Sequence, residues 1–188
     1  MPNIPGLIIL GCWLALLLYW LISWFAVKAT AERKSYASSL PYRIPLIAGA
    51  ITVVKIYLPY PWNLPLTPYT ILTPWIGAAV CVIGLGIALW SRWTLAGNWS
   101  SDVRLKQGHE LVKTGPYRFV RHPIYTGILV MCFAPAIQFG RLHHWLGALI
   151  IGIGLWIKLK QEEKVMLQHF PEYAEYRKRV KALVPFLI

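Results

Sequence analysis

The chain is poor in acid. Seven Asp and Glu stand against 19 Lys and Arg among 188 residues, a formal net charge of +12. It carries three cysteines, Cys12, Cys81 and Cys132, each inside an apolar run. No loop pair of cysteines can bridge, and no group has the spacing of a metal site. A disulfide framework and a bound metal are therefore not expected, and the three cysteines read as small apolar residues. No charge at all falls between Leu58 and Trp90. Internal repeats, low-complexity tracts, a Gly-rich nucleotide loop and any soluble-sized domain are also missing, so the chain reads as one domain, 1–188.

What is present is grease. The chain is 57% apolar with a mean hydropathy of +0.51, too hydrophobic for an ordinary soluble domain. Runs of about 18 or more apolar residues read as membrane spans. One covers Leu7 to Val27. Weaker ones cover Ile44 to Leu58, Trp75 to Trp90, Ile124 to Phe139 and Trp145 to Ile157. The expectation is an all-α integral membrane protein of about five transmembrane helices, the last two being two full spans or a tight helical hairpin. Ten Trp and ten Tyr are present, and many sit near run ends, among them Trp20, Trp24, Tyr57, Tyr60, Trp62, Trp75, Trp90, Trp93 and Trp145. Their amphipathic rings suit the headgroup level. A signal peptide is the competing reading of the first thirty or so residues. It fails because no positive charge precedes the apolar stretch, which is of span length.

The basic excess maps onto topology. Lys28, Arg33, Lys34 and Arg43 follow the first run. Arg92, Arg104, Lys106, Lys113, Arg118 and Arg121 follow the third. Lys158, Lys160, Lys164, Arg177, Lys178, Arg179 and Lys181 follow the fifth. Lys and Arg mark the cytoplasmic side. The N-terminus is thus expected outside and the C-terminus in the cytoplasm, in a multi-pass protein of the prokaryotic plasma membrane. Only Lys55 and Arg141 fall toward the other side, and Lys55 is close enough to its helix end to snorkel. Basic groups beside anionic lipid contribute about 1 kcal/mol each, so the charge needs no nucleic-acid partner.

Pro41 and Pro45 bracket the start of the second helix. Pro59, Pro61, Pro65, Pro68 and Pro74 predict an extended outer loop, because proline donates no backbone hydrogen bond. Gly77, Gly84 and Gly86, with Gly147, Gly152 and Gly154, read as helix-packing positions. The largest polar regions are the loop Ser91 to Arg121 and the tail Lys158 to Ile188. Residues 1–90 would hold three helices, and 91–188 the part able to enclose a small ligand. After Pro171, the spacing of Tyr173, Tyr176, Val180 and Leu183 predicts a basic amphipathic helix on the lipid surface.

Two places carry chemistry. Gly115-Pro116-Tyr117 is a turn signal. Arg121-His122-Pro123 then opens a helix, because proline suits the first helical position and pushes its predecessor out of the helical region. That puts His122 at a helix N-terminus, where free N–H groups and the dipole favour an anion. Tyr125, in the first turn, can line the same place. The bland alternative is an interfacial loop whose Arg118, Arg121 and His122 touch lipid phosphates. Glu162-Glu163 is the only acidic pair. It reads either as pairing with Lys158 one turn back or as a carboxylate waiting for a cation. An anion site at His122 and a cation site at Glu162 would together suit an amino acid. The adjacent His143-His144 reads as interfacial rather than as a metal pair.

The string His109-x-Leu-Val-x-x-Gly-x-Tyr117-x-x-x-Arg-His122-Pro-x-Tyr125 resembles the isoprenylcysteine carboxyl methyltransferase family of membrane enzymes. So do Glu162-Glu163-x-x-Met166-x-x-x-Phe170-Pro-Glu-Tyr173-x-x-Tyr176 and Gly97-Asn98-Trp99-Ser100. The resemblance covers about Ser91 to Val180. It implies S-adenosyl-L-methionine as cofactor, contacted by His109, Leu111, Val112, Tyr117, His122, Pro123, Ile124 and Tyr125. Glu162 would hold its ammonium, with Glu163 the register alternative. It also implies a lipid-tailed or prenylated acceptor, with Lys158 where that family carries an Arg proposed to hold the substrate carboxylate. Lysine keeps the charge and loses the bidentate fork. Pro171 replaces the usual Gly. Trp99 and Tyr125 would wall the acceptor off from the cofactor, and no catalytic residue is assigned. The alternatives are a phospholipid N-methyltransferase, an NADPH-dependent membrane reductase and a non-enzymatic membrane subunit.

Overall fold

A computed structural model describes residues 3–24, 39–54, 58–96 and 111–185. Among the described residues six α-helices form: α1 (Ile4–Trp24), α2 (Leu40–Val54), α3 (Thr73–Leu95), α4 (Pro123–Phe139), α5 (Leu142–His169) and α6 (Tyr173–Arg179). A 3-10 turn covers Gly115–Arg118. Outside the helices the described residues show only two isolated β-bridges. The all-α membrane reading holds. Segments Ile4–Ser23, Thr73–Leu95 and Leu142–His169 are long and apolar enough to cross a membrane. The described α2 and α4 have 15 and 17 residues. That is about 22 and 25 Å of helix, short of a hydrocarbon core of about 30 Å. Only Gly140 and Arg141 separate α4 from α5, so the two run antiparallel through a tight turn.

Local chemistry sets the helix ends. Pro74 and Pro123 sit at the first turns of α3 and α4, where their missing N–H is no loss. Gly140 closes α4 in the left-handed region, at φ 63°, and its N–H bonds back to the Ala136 carbonyl at 2.9 Å. A side chain there would sit 2.6 Å from the Thr67 carbonyl. The proline-rich loop is non-helical, as expected, but not extended throughout. It turns at residues 60–63, where Trp62 N–H donates to Pro59 O at 3.0 Å, and it is stitched to the α4–α5 hairpin turn. Leu66 N–H donates to Gly140 O at 2.7 Å, and Leu142 N–H to Leu64 O at 2.8 Å. The second helix starts at Leu40 rather than near Ile44. Pro41 falls in its first turn and is tolerated there, while Pro45 lies inside it.

The helices alternate in direction, and contacts at their ends show it. Ser23, ending α1, and Arg92, near the end of α3, meet at 3.3 Å. Tyr42 at the start of α2 packs with Val165 late in α5. Asn3 reaches Gln138 at the far end of α4 at 3.4 Å. One end of the bundle therefore collects the ends of α1, α3 and α5, the starts of α2 and α4, the 3-10 turn and α6. This is the polar end of the bundle. Leu7, Leu10, Leu14, Leu17, Leu18, Leu21 and Ile22 of α1 are each more than half exposed, which suits a lipid-facing surface. Arg92 is not loop, as its sequence position suggested. It is buried on α3 and donates to the Ala96 carbonyl at 2.7 Å.

Small residues make the seams. A Cβ on Gly84 would lie 2.7 Å from Gly127 O, and one on Gly127 2.7 Å from Gly84 O, so α3 and α4 touch backbone to backbone. Gly49 of α2 and Gly147 of α5 repeat this, with Gly154 against Leu46. The packing role expected of Gly86 and Gly152 is not seen. Among the described residues nothing lies within 4 Å at Gly86, and only Leu129, at 3.5 Å, near Gly152. His143 and His144 are buried rather than interfacial. His143 Nδ1 lies 3.0 Å from the Trp62 carbonyl and the His144 ring stacks on Phe139. The seams make a prediction. Gly84→Leu should lower stability by about 1–3 kcal/mol through overpacking. Gly86→Ala should be neutral or stabilising by up to about 1 kcal/mol. Thermal unfolding of both variants in one detergent checks this, and equal losses would refute the seam.

Candidate functional site

The site grows from the polar extension of α5. Apolar spacing stops near Ile157, yet the helix continues to His169 and carries Glu162 and Glu163 with it. Neighbouring residues on a helix point about 100° apart, so the two carboxylates meet different surroundings. Glu163 turns inward and is buried. Arg121 Nε donates to its Oε1 at 2.8 Å, and Arg121 Nη2 donates to the same oxygen. Arg177 Nε lies 3.5 Å from its Oε2. Arg121 also donates through Nη1 to the carbonyls of Arg177, at 3.2 Å, and Val180.

Glu162 is one-fifth exposed and less committed. The Tyr125 hydroxyl donates to its Oε1 at 2.5 Å. Lys158 Nζ, one turn back, is 3.9 Å from that oxygen. The His122 ring lies between the acids. Its Nδ1 is 3.6 Å from Glu162 Oε2, and its Nε2 is 3.6 Å from Glu163 Oε1. It stacks flat on Tyr125, centroids 5.5 Å apart. His122 Nε2 and Glu163 Oε2 are both buried and find no hydrogen-bond partner among the described residues. Such atoms are costly unless something else satisfies them.

The mount beneath this cluster is aromatic. Tyr117 in the 3-10 turn donates to the Ser91 carbonyl at 3.3 Å and accepts, through its own carbonyl, from the Tyr176 hydroxyl. Burial raises the Tyr117 and Tyr173 phenols far above their ordinary range, and pushes Tyr176 up to about 12. All three stay protonated at neutral pH, and the Tyr117 and Tyr176 hydroxyls serve as fixed donors. The helix expected on the lipid surface is instead packed onto the protein. Tyr173 and Tyr176 of α6 are buried, as is Leu183 beyond it. The Tyr176 hydroxyl ties α6 to the 3-10 turn, and Arg121 ties the carbonyls of Arg177 and Val180 to Glu163 of α5.

The chain just past α6 runs beside the start of α4. Val120 and Lys181 form a parallel bridge. Arg121 N–H donates to Lys181 O at 2.8 Å, His122 N–H to Ala182 O at 3.0 Å and Thr126 Oγ1 to Leu183 O at 2.7 Å. His122 is the N-cap of α4 with Pro123 next, as its sequence predicts. The edge expected to face an anion is in part faced by these carbonyls.

Of the residues singled out in the sequence, Tyr117, His122, Tyr125, Lys158, Glu162 and Glu163 come together at the polar end. Pro123 and Ile124 are buried in the first turn of α4. Leu111 and Val112 lie half-buried ahead of the 3-10 turn. His109 and Trp99 fall outside the described residues, as does Lys55. Sequence reasoning missed Arg121 as the partner of Glu163, the carbonyls of 181–183, and Tyr42, whose ring lies 5.6 Å from Lys158 Nζ. With 19 basic residues available, only position next to His122 distinguished Arg121.

Residues 72–173 match the model of the phospholipid methyltransferase family, and the chain belongs to that family. The match runs from the start of α3 to the start of α6 and takes in both glutamates, His122 and Tyr125. Among curated relatives, the protein YpbQ of Bacillus subtilis is 24% identical over 97 residues, 50% of this chain and 58% of that protein. Methanethiol S-methyltransferase 1 of Bradyrhizobium diazoefficiens is 38% identical over 72 residues, 37% and 24% of the two chains. Protein-S-isoprenylcysteine O-methyltransferase B of Arabidopsis thaliana is 30% identical over 90 residues, 45% and 44%. The chain thus spans from about a quarter to under two thirds of the length of these relatives.

Burial separates the two acids energetically. Glu163→Gln leaves Arg121 buried without its counter-charge and should cost about 3–5 kcal/mol. Glu162→Gln should cost under about 1 kcal/mol. Chemical unfolding of the purified variants in detergent checks the contrast; a reversed ranking would mean that Glu163 is not the anchor.

Proposed function

We propose that the chain is a methyltransferase that uses S-adenosyl-L-methionine to methylate a lipid-tailed acceptor in the membrane, most specifically the carboxylate of a prenylated-cysteine-type compound. Family membership and relatives named as methyltransferases support the reading. The observation that carries it is the gathering of Glu162, Tyr125 and His122 where α5 leaves the apolar bundle. A carboxylate that keeps some exposure, with the His122 Nδ1 3.6 Å away and the Tyr125 hydroxyl on it, fits the charged head of an amino acid.

In this reading Glu162 and the Tyr125 oxygen hold the ammonium. His122, Tyr117, Pro123 and Ile124 wall the site, with Leu111, Val112 and His109 along the rest of it. The cofactor supplies an already activated methyl group on a sulfonium. An ionised carboxylate acceptor needs no general base, so the chain's work is alignment and removal of water. Lys158, with Trp99, would face the acceptor, and its charge favours an anion there. The polar end lies in the cytoplasm and the N-terminus outside, a placement supported by the Lys and Arg that follow helices α1, α3 and α5. The lipid tail would reach the site sideways between helices.

An amine acceptor is the second reading, favoured by the description of the matching family. It would have to approach past Lys158 and lose a proton first. The two products differ in chemistry. With a methyl-labelled cofactor, a prenylcysteine analogue should yield label released by mild base as methanol, the mark of a methyl ester. Base-stable label on phosphatidylethanolamine vesicles would replace this reading with N-methylation. Glu162→Gln should weaken cofactor binding by about 1.5–3 kcal/mol, the worth of a charged hydrogen bond. Calorimetry measures this, and unchanged affinity would move the ammonium elsewhere.

A further inference from the structure

Lys158 sits in an unusual place for a residue meant to meet a substrate. Its ammonium is 3.9 Å from Glu162 Oε1, 5.6 Å from the centre of the Tyr42 ring and 5.4 Å from the centre of the Tyr125 ring. Its side chain is only 12% exposed. Two tyrosine faces and a carboxylate are the parts of a cage for an organic cation, since ring faces carry negative charge density. Tyr42 comes from α2, is 3% exposed, and lies outside the part of the chain that matches the family. Its buried position holds it in place.

We propose that Lys158 is an internal stand-in cation. It fills the Tyr42–Tyr125–Glu162 cage, and the cage's purpose is to take the cationic head of an incoming ligand, an alkylammonium, in its place. The inference rests on the methyltransferase reading for the identity of that ligand and goes beyond it in two respects. It adds Tyr42 to the site. It also gives Lys158 two positions: against Glu162 while the cage awaits a ligand, and displaced once a ligand's ammonium has taken the carboxylate.

The reason is charge. One carboxylate balances one ammonium. A second ammonium within about 4 Å is repelled by the first, and this repulsion is strong where water is scarce. The displaced lysine stays one turn from Glu162, and its long flexible stem can carry the charge toward an acceptor's carboxylate. A bound cofactor would thus free the charge that attracts the acceptor's carboxylate. The two binding events become coupled through one side chain, with no helix movement needed.

The test is calorimetry of the full chain in detergent with S-adenosylhomocysteine, which carries the ammonium and reports binding without turnover. Lys158→Met keeps the stem and the helix and removes the charge. It should bind about three- to tenfold tighter than the unaltered protein. Lys158→Arg should stay near the unaltered value. In the Glu162→Gln background the gain from Lys158→Met should vanish. Equal or weaker binding by Lys158→Met, with the unaltered protein binding normally, would overturn the stand-in and leave the methyltransferase reading intact. Binding by Lys158→Met alone would support it in its strongest form. No binding by either protein would overturn both.

Discussion

The polar end is organised around one buried ion pair, Arg121 with Glu163. The guanidinium reaches the carboxylate through Nε and Nη2 and spends Nη1 on backbone carbonyls past α5. It therefore joins three pieces of chain distant in sequence: the start of α4, the extension of α5 and the segment around α6. A pair removed from water is expensive to form and more expensive to break. That asymmetry makes it a lock. Because Glu163 is spent on architecture, its neighbour Glu162 is left with a tyrosine hydroxyl, an imidazole and a lysine, which is the chemistry of a place that holds something.

The same division appears in the membrane part. Directionless packing builds the bundle, and small residues set its spacing. Gly84 with Gly127 and Gly49 with Gly147 bring backbones together, and α5 is held to α2 on one side and α4 on the other. Lipid cannot drive helices together by hydrophobicity, so contact at this range is what remains. The outcome is a rigid platform. Tyr42 and Tyr125 reach Lys158 from two different helices.

How much of this was legible in the sequence depended on whether the signal was local. Helix positions followed from apolar runs, and the N-cap at His122 from the proline after it. Glu162 and Glu163 stood out because acids are scarce, but their different partners were not legible, since these depend on which face of α5 meets Arg121. The basic amphipathic pattern after Pro171 was read correctly as a helix and wrongly as lipid-bound. A pattern of apolar and basic residues cannot say whether protein or lipid covers the apolar face. Gly86 and Gly152 looked like packing glycines for the same reason. The contribution of Tyr42 is a relation between α2 and α5, and no spacing within either helix announces it.

The parallel bridge between Val120 and Lys181 carries a consequence for the order in which the molecule is made. The carbonyls of Lys181, Ala182 and Leu183 form one wall of the polar end, opposite the mouth of α4. The five bundle helices precede them in the chain and can reach the bilayer while synthesis continues. A nascent protein that already spans the membrane therefore still lacks that wall until residue 183 has emerged from the ribosome.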